Sequence, residues 1–318
     1  MSTADRRPAD PVGTPDTSRA LGLTAMIVSA ASYSLFTLFA QVALDVLRPT
    51  DVLFWRFAIA APVAWAVVGL RRLAGHGADV FAVRWRPSIA LGLVFGVLAW
   101  LAFAALEHLT GSLYVVIIYT YPAMVAIGGR WLGRPAPAGM WGPLAVMLVG
   151  IVLTAPEVFA SPGADVWIGV LMTIGNAALY AGYILYSERV VGAAGRLDTD
   201  TPRRVDGVVT AAWGMTGSLI TATVFMAVAG GVRTPDAAPQ ITAMLGLGVI
   251  STVAAGTGLL IGVRHLGPAA AALLATLEPV LALILLATVR GETMSPIQAV
   301  GAALVIVAVV WSQRRRSA

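Results

Sequence analysis

Long stretches almost free of charge recur down this chain, near 20–44, 50–70, 87–107, 111–130, 138–156, 166–187, 207–230, 240–263, 267–289 and 295–313. Each has the length an α-helix needs to cross the bilayer core, since about 20 residues rising ~1.5 Å apiece span its ~30 Å. A soluble core asks instead for amphipathic stripes broken by polar residues. Composition agrees: 58% of the 318 residues are hydrophobic and 12% charged, against roughly 45–50% and about 25% in an average soluble protein. Ten such blocks leave no room for a soluble domain. The expected fold is therefore an all-α integral membrane protein with ten transmembrane helices.

The polar remainder sets the ends and the orientation. Residues 1–19 are rich in Pro, Asp, Arg and small polar side chains, a composition that buries too little apolar surface to order, so they read as a disordered tail. A cleavable signal peptide is excluded because the apolar run from Ala20 to Leu44 is far longer than such a core. All 21 basic residues are Arg, and they lie between the apolar blocks. That is the pattern of membrane topology and not of a nucleic-acid surface with interleaved aromatics, so the net charge of +5 implies no nucleic acid. With the N-terminus in the cytoplasm, 17 arginines fall inside: Arg6, Arg7, Arg19, Arg71, Arg72, Arg84, Arg86, Arg130, Arg134, Arg189, Arg196, Arg203, Arg204, Arg264, Arg314, Arg315 and Arg316. Only Arg48, Arg233 and Arg290 fall outside, and Arg56 lies within a span. Both termini, including the basic end at 314–318, are expected to be cytoplasmic in the cell's inner or plasma membrane.

Sliding the chain against itself relates two halves, 20–156 and 164–313. At an offset of 147, Tyr33 meets Tyr180, Phe36 meets Tyr183, Phe39 meets Tyr186 and Ser29 meets Asn176. At an offset of 157, His108-Leu109 meets His265-Leu266 and Pro122 meets Pro279. Five spans per half is an odd number, so the second half enters from the opposite side. Inverted repeats of this kind build a solute site near the midplane and alternate its access.

The ending LATLEPVLALILLATVRGETMSPIQAVGAALVIVAVV, with Glu278-Pro279, Gly291-Glu292, Gln298 and Gly301, resembles the last two helices of an EamA domain. That domain is the unit of the drug/metabolite transporter superfamily. The stretch RPTDVLFWRFAIAAPVAW, with Pro49 and Arg56, resembles the second helix of the same unit. The first half has Gly133-Arg134 where the second has Gly291-Glu292, so any role of that glutamate belongs to one half only. The resemblance covers about 20–313 and implies two EamA units exporting small metabolites, amino acids or drugs.

Among single residues Glu278 stands out. Its helix starts near Gly267, which puts the carboxyl roughly 15 Å in, near the bilayer centre. An acid there is protonated, paired or facing water, and marks a substrate or proton path; the bland reading is a neutral acid bonded to carbonyls that Pro279 frees. Tyr121-Pro122 is its counterpart in the fourth span, and both prolines should bend their helices. Tyr119 and Tyr121 offer hydroxyls, though on a continuous helix they point to different faces. Tyr33, Phe36 and Phe39, and Tyr180, Tyr183 and Tyr186, form equivalent aromatic stripes that either line a cavity or simply pack. Asn176 reads as glue between helices, and Trp100 as a cavity candidate. Arg56 lies about six residues inside the outer end of its span, shallow enough to snorkel, and reads as an anchor. Glu107 and Glu188 sit at span ends.

With no Cys and three scattered His (His76, His108 and His265), the sequence implies no disulfide, thiolate or metal cluster, and no cofactor. Carboxylates paired for Mg²⁺, or a nucleophile with its base, are not discernible, which argues against a membrane enzyme. With no Lys there is no nucleotide-binding G-x-x-x-x-G-K-[ST] loop to drive a pump. The reading is a secondary transporter of a small molecule, exporting it by alternating access and exchanging it for protons. An importer, or a facilitative carrier or channel, of the same architecture is the alternative, ahead of an enzyme or scaffold. The partners expected are the solute and the lipid bilayer, and a homodimer is compatible with the chain.

Overall fold

A computed structural model of the chain describes residues 15–75, 79–81, 83–106, 108–109, 114, 117–133, 139–154, 166–191, 206–289 and 295–314. Outside the described residues fall Arg6, Arg7, Arg134, Arg196, Arg203, Arg204, Arg290, Arg315, Arg316, His76, Glu107 and Gly291-Glu292. Among the described residues every regular element is a helix, as a hydrocarbon solvent requires, because a helix satisfies its own backbone polar groups. The elements are α1 Pro15–Ser34, α2 Phe36–Leu44, α3 Pro49–Leu73, α4 Trp85–Leu106, α5 Tyr121–Trp131, α6 Trp141–Thr154 and α7 Val166–Val191. They continue with α8 Gly207–Val228, α9 Ala238–Leu245, a π-helical segment Gly246–Ala254, α10 Ala255–Leu266, α11 Pro268–Ala275, α12 Leu277–Val289 and α13 Pro296–Arg314.

Among the described residues six helical runs are long and apolar enough to cross a membrane: Thr17–Leu44, Pro49–Leu73, Trp85–Ala105, Val166–Val191, Gly207–Val228 and Ala238–Leu266. Their outward faces carry large apolar side chains such as Leu70, Trp167, Leu171 and Val228, each mostly exposed. Water would not tolerate so much contiguous apolar surface, whereas lipid covers it. The chain is a multi-pass membrane protein.

Four details differ from the expected plain spans. Helix α1 begins at Pro15, so residues 15–19 are helical and not part of the tail; proline suits a first turn, where its missing N–H leaves nothing unbonded. The first span is interrupted at Leu35, where Ser34 Oγ turns back to the Ala31 carbonyl at 2.7 Å. A hydroxyl competing for the helix's own acceptor is a known cause of such bends. The run after α9 widens into the π segment, in which Thr252 Oγ1 donates to the Leu247 carbonyl five residues back at 2.7 Å. Lastly, the chain breaks at Tyr119-Thr120 and again at Thr276.

Small residues let the helices approach. A methyl group on Gly92 of α4 would strike the Gly214 carbonyl of α8, and one on Gly217 the Ile89 carbonyl, the close backbone contact that membrane helices use in place of a hydrophobic drive. Gly22 lies against His265 and Leu266, and Gly169 against His108 and Leu109, the residue types matched at the two sequence offsets. Helix α10 ends on Gly267 (φ 79°), which turns the chain directly into Pro268 without a loop.

Helices α3 and α8 are laced along their length. At one end the buried Asp51 pairs with Arg48 at 2.8 Å and accepts the Arg233 backbone N–H at 3.0 Å, while Arg48 donates to the Gly231 carbonyl at 2.7 Å. In the middle Trp65 Nε1 donates to Thr216 Oγ1 at 3.0 Å. At the other end Arg71 meets Asp206, the N-cap of α8, at 3.0 Å. Arg48 and Arg233 thus share one end of the bundle, and Arg71 shares the other with Arg84 and Arg189, joined through the Arg189 carbonyl at 3.3 Å.

Candidate functional site

The two chain breaks supply the core of the site. Thr276 folds its hydroxyl onto the Leu273 carbonyl at 2.6 Å, closing α11, and α12 restarts at Leu277 with Glu278 and Pro279 in its first turn. Thr120 does the same onto Ile117 at 2.7 Å, and α5 restarts at Tyr121-Pro122. In both places the proline cannot bond back across the break, so the restart is fixed by the sequence. The Glu278 carboxyl takes a hydrogen bond from the Tyr119 hydroxyl. Because Tyr119 sits in the turn and not in a helix, its ring lies 6.0 Å from that of Tyr121. The two share a face, contrary to what a continuous helix would give.

From there an aromatic arc crosses the bundle. Tyr121 stands edge-on to Tyr180 at 4.7 Å, Tyr180 stacks on Tyr183 at 5.9 Å, and Tyr183 meets Phe95 at 5.4 Å. Tyr121 also donates to the Ala272 carbonyl at 3.2 Å, tying α5 to α11. The arc ends at Arg56, whose guanidinium lies over Phe36, Phe57 and Phe95 at 4.9, 5.3 and 5.9 Å, within the range of cation–π attraction. Arg56 Nε donates to Thr252 Oγ1 of the π segment at 2.7 Å. Tyr33 lies within electrostatic reach of both Arg56 and Glu278. Phe95 and Tyr183, with Met215, Ser218 and Thr252, also border a cavity of about 30 Å³, room for a water.

Of the residues singled out in the sequence, Glu278, Tyr121, Tyr33, Tyr180 and Tyr183 come together. Asn176 joins at the side: its Nδ2 donates to the Tyr114 hydroxyl at 3.2 Å, and Tyr114 is within electrostatic reach of Glu278. Trp100 does not join them, since its indole packs on Phe225 at 5.1 Å along the α4–α8 seam. The stripes divide as well, with Tyr186 turned outward and Phe39 set against Gly246. Arg56 is no snorkelling anchor: it is 4% exposed and points into the bundle. Depth along a helix says nothing about the face a residue occupies, and α3 turns this one toward the π segment. Tyr114 was not singled out, although six of the seven tyrosines gather here, a clustering of the rarer hydroxyls that the sequence lists but does not locate. Among the described residues no three His, Cys, Asp or Glu side chains converge as metal ligands would.

A multi-pass helical protein whose polar, aromatic centre is carried on interrupted helices has the construction of a membrane transporter, in which broken spans offer backbone and side-chain polar groups to a solute. The sequence model of the EamA-like transporter family matches residues 20–155 and again 167–313. The chain belongs to the EamA-like transporter family. It is similar to the uncharacterized transporter YcbK of Bacillus subtilis (strain 168), at 25% identity over 262 residues and 80% of each chain. A protein of solved crystal structure shares the fold, with a TM-score of 0.73 at 18% identity over 94% of this chain and 98% of that one.

Proposed function

We propose that this protein is a secondary carrier of ten spans in the inner or plasma membrane, built from two inverted five-helix repeats with both termini cytoplasmic. It exports a small organic solute by alternating access around Glu278, in exchange for protons. The observation that carries this reading is the pair of interrupted spans meeting at one half-buried acid, Tyr119-Thr120 before α5 and Thr276 before α12. A paired break at a polar centre is the recurring device of carriers and is not needed by a scaffold.

Swapped packing supports the inversion. Gly22 meets His265 and Leu266 across the halves as Gly169 meets His108 and Leu109, and α1 packs on α10 and α12 as α7 packs on α4 and α5. The arginine asymmetry supports the orientation. Glu278 suits proton coupling because an acid in hydrocarbon changes charge only when a solute or a proton compensates it.

Thermal stabilisation of the purified protein by a panel of amino acids, sugars, nucleosides and cationic drugs finds the solute, since a ligand at 100 times its Kd adds about 2.7 kcal/mol. In proteoliposomes that solute should show saturable counterflow, accelerated by an opposing proton gradient and lost in Glu278→Gln. Flux that follows the proton gradient in the same direction would make it an importer. Unsaturable flux indifferent to Glu278→Gln would make it a channel.

A further inference from the structure

We propose that the end of the bundle shared by α3, α4, α7 and α8 binds an anionic glycerophospholipid, with Arg86 and Arg189 taking its phosphate and Phe81 and Trp85 covering its glycerol and first methylenes. The proposal rests on the multi-pass membrane fold and is independent of what the protein carries.

Four apolar runs terminate together here. Pro49–Leu73 and Val166–Val191 finish, and Trp85–Ala105 and Gly207–Val228 begin. Arg71 joins the first to the last through Asp206 at 3.0 Å, and Arg84 Nη1 joins the start of α4 to the end of α7 by donating to the Arg189 carbonyl at 3.3 Å. The ends of membrane-crossing helices lie at headgroup depth, where tryptophan and arginine accumulate.

The connection from α3 to α4 does not stand off into water. Trp213 Nε1 donates to the Val80 carbonyl at 3.0 Å, and Trp213 lies six residues beyond the start of α8, ~9 Å along the helix. Val83 is buried, so the connection is folded back against the bundle. The Phe81 N–H donates to Asp79 Oδ1 at 3.1 Å, and the Phe81 ring then stands 5.9 Å from Trp213 and 6.5 Å from Trp85. Trp213 is further enclosed by Trp65 at 4.8 Å and Trp85 at 5.6 Å. Phe81 nevertheless remains 62% exposed, an apolar ring held rigidly at the rim of an aromatic cluster.

Positive charge borders that ring. The Arg86 guanidinium lies 5.1 Å from the centre of the Trp85 ring, and the Arg84 hydrogen bond brings the end of α7, with Arg189, to the same strip; Arg86 and Arg189 are both exposed. The acids of this end are turned to other tasks or set back: Asp206 holds Arg71 and caps α8, Asp79 holds the Phe81 N–H, and Glu188 is half-buried. A guanidinium offers a fork to phosphate oxygens, while its stem and the adjoining rings cover apolar surface. A soluble anion would leave Phe81 bare, and a zwitterionic lipid would bring its own cation toward the arginines. An anionic glycerophospholipid meets both features. The opposite end lacks the arrangement, since Arg48 there is spent on Asp51 and the Gly231 carbonyl.

The full chain in detergent is titrated with phosphatidylglycerol and with phosphatidylcholine of the same acyl chains, reading retained lipid by native mass spectrometry and the unfolding temperature alongside. Phosphatidylglycerol should be retained and raise the unfolding temperature, phosphatidylcholine should do neither, and inorganic phosphate should fail to displace the lipid. Replacing both arginines, Arg86→Gln with Arg189→Gln, should weaken phosphatidylglycerol binding about 30-fold. Arg130→Gln, an exposed arginine ending α5, should leave it unchanged. Equal retention of the two lipids overturns the site, as does displacement by inorganic phosphate, which would make it a simple anion site. An equal loss in Arg130→Gln would replace it with a diffuse basic surface. The two-lipid comparison on the unaltered chain is decisive if the double variant does not fold.

Discussion

Asp51 has no exposed surface although it lies in the first turn of its span, and four N–H groups converge on it: Arg48 N at 3.1 Å, Nε at 2.9 Å and Nη2 at 2.8 Å, and Arg233 N at 3.0 Å. The partner Arg48 is about a third exposed, so screened Coulomb attraction adds little. What Asp51→Ala removes is the common acceptor of these donors, and it should lower the protein's stability by about 2 kcal/mol, read as thermal unfolding in detergent, with Asp51→Asn losing roughly half as much. An unchanged melting temperature would mean water replaces the carboxylate freely. Tyr119→Phe is the complementary change at the site. It keeps the ring beside Tyr121 and deletes the donor to Glu278, so folding should be preserved while solute affinity falls by about tenfold; equal affinity would reduce Tyr119 to packing. The residues of the site were legible to the extent that chemistry betrays them. A lone mid-span acid and tyrosines at helical spacing are conspicuous in an apolar chain. Linear depth makes Arg56 look like an anchor because it ignores facing, and nothing in its local sequence marks Tyr114.

Helices tolerate glycine for opposite reasons, and two substitutions separate them. Gly92 is where α4 touches the Gly214 carbonyl of α8, and a methyl group cannot fit without parting the two helices. Gly92→Ala should therefore destabilise by about 1–3 kcal/mol through overpacking. Gly175 on α7 has nothing within 4 Å, and Gly175→Ala should stabilise by about 0.5–1 kcal/mol through helix propensity alone. A similar melting temperature for the two variants would show that the α4–α8 seam is looser than its geometry. The positions of the six long apolar runs were readable because lipid demands an uninterrupted apolar run, a signal that needs no tertiary information. The interruptions were readable only where proline marks them, at Pro122 and Pro279. The bend at Leu35 depends on which carbonyl the Ser34 hydroxyl reaches, and the π segment on the contacts of Gly246 with Phe39 and Thr252 with Arg56. Those partners lie on other elements or in a choice of rotamer, and neither is written in a local window.

At the scale of the whole chain, inversion makes a prediction that no local feature can imitate: positions following equivalent spans must face opposite sides of the membrane. Asp45 follows the first span and Arg189 closes the sixth, while Ala74 follows the second and Asp236 lies beyond the seventh; all four are exposed. The chain contains no cysteine, so single cysteines at these positions need no altered background. With 17 arginines assigned to one face and three to the other, the positive-inside rule places Asp45 and Asp236 outside and Ala74 and Arg189 inside. The packing is consistent with that partition, since Arg48 and Arg233 share one end while Arg71, Arg84 and Arg189 share the other. A membrane-impermeant maleimide applied to intact cells should label Asp45→Cys and Asp236→Cys at once, and Ala74→Cys and Arg189→Cys only after permeabilisation. Reversed labelling of all four would invert the orientation and keep the repeats. Labelling of both members of either pair from one side would require the halves to run parallel, and the exchange of repeat conformations that drives alternating access would lose its structural basis.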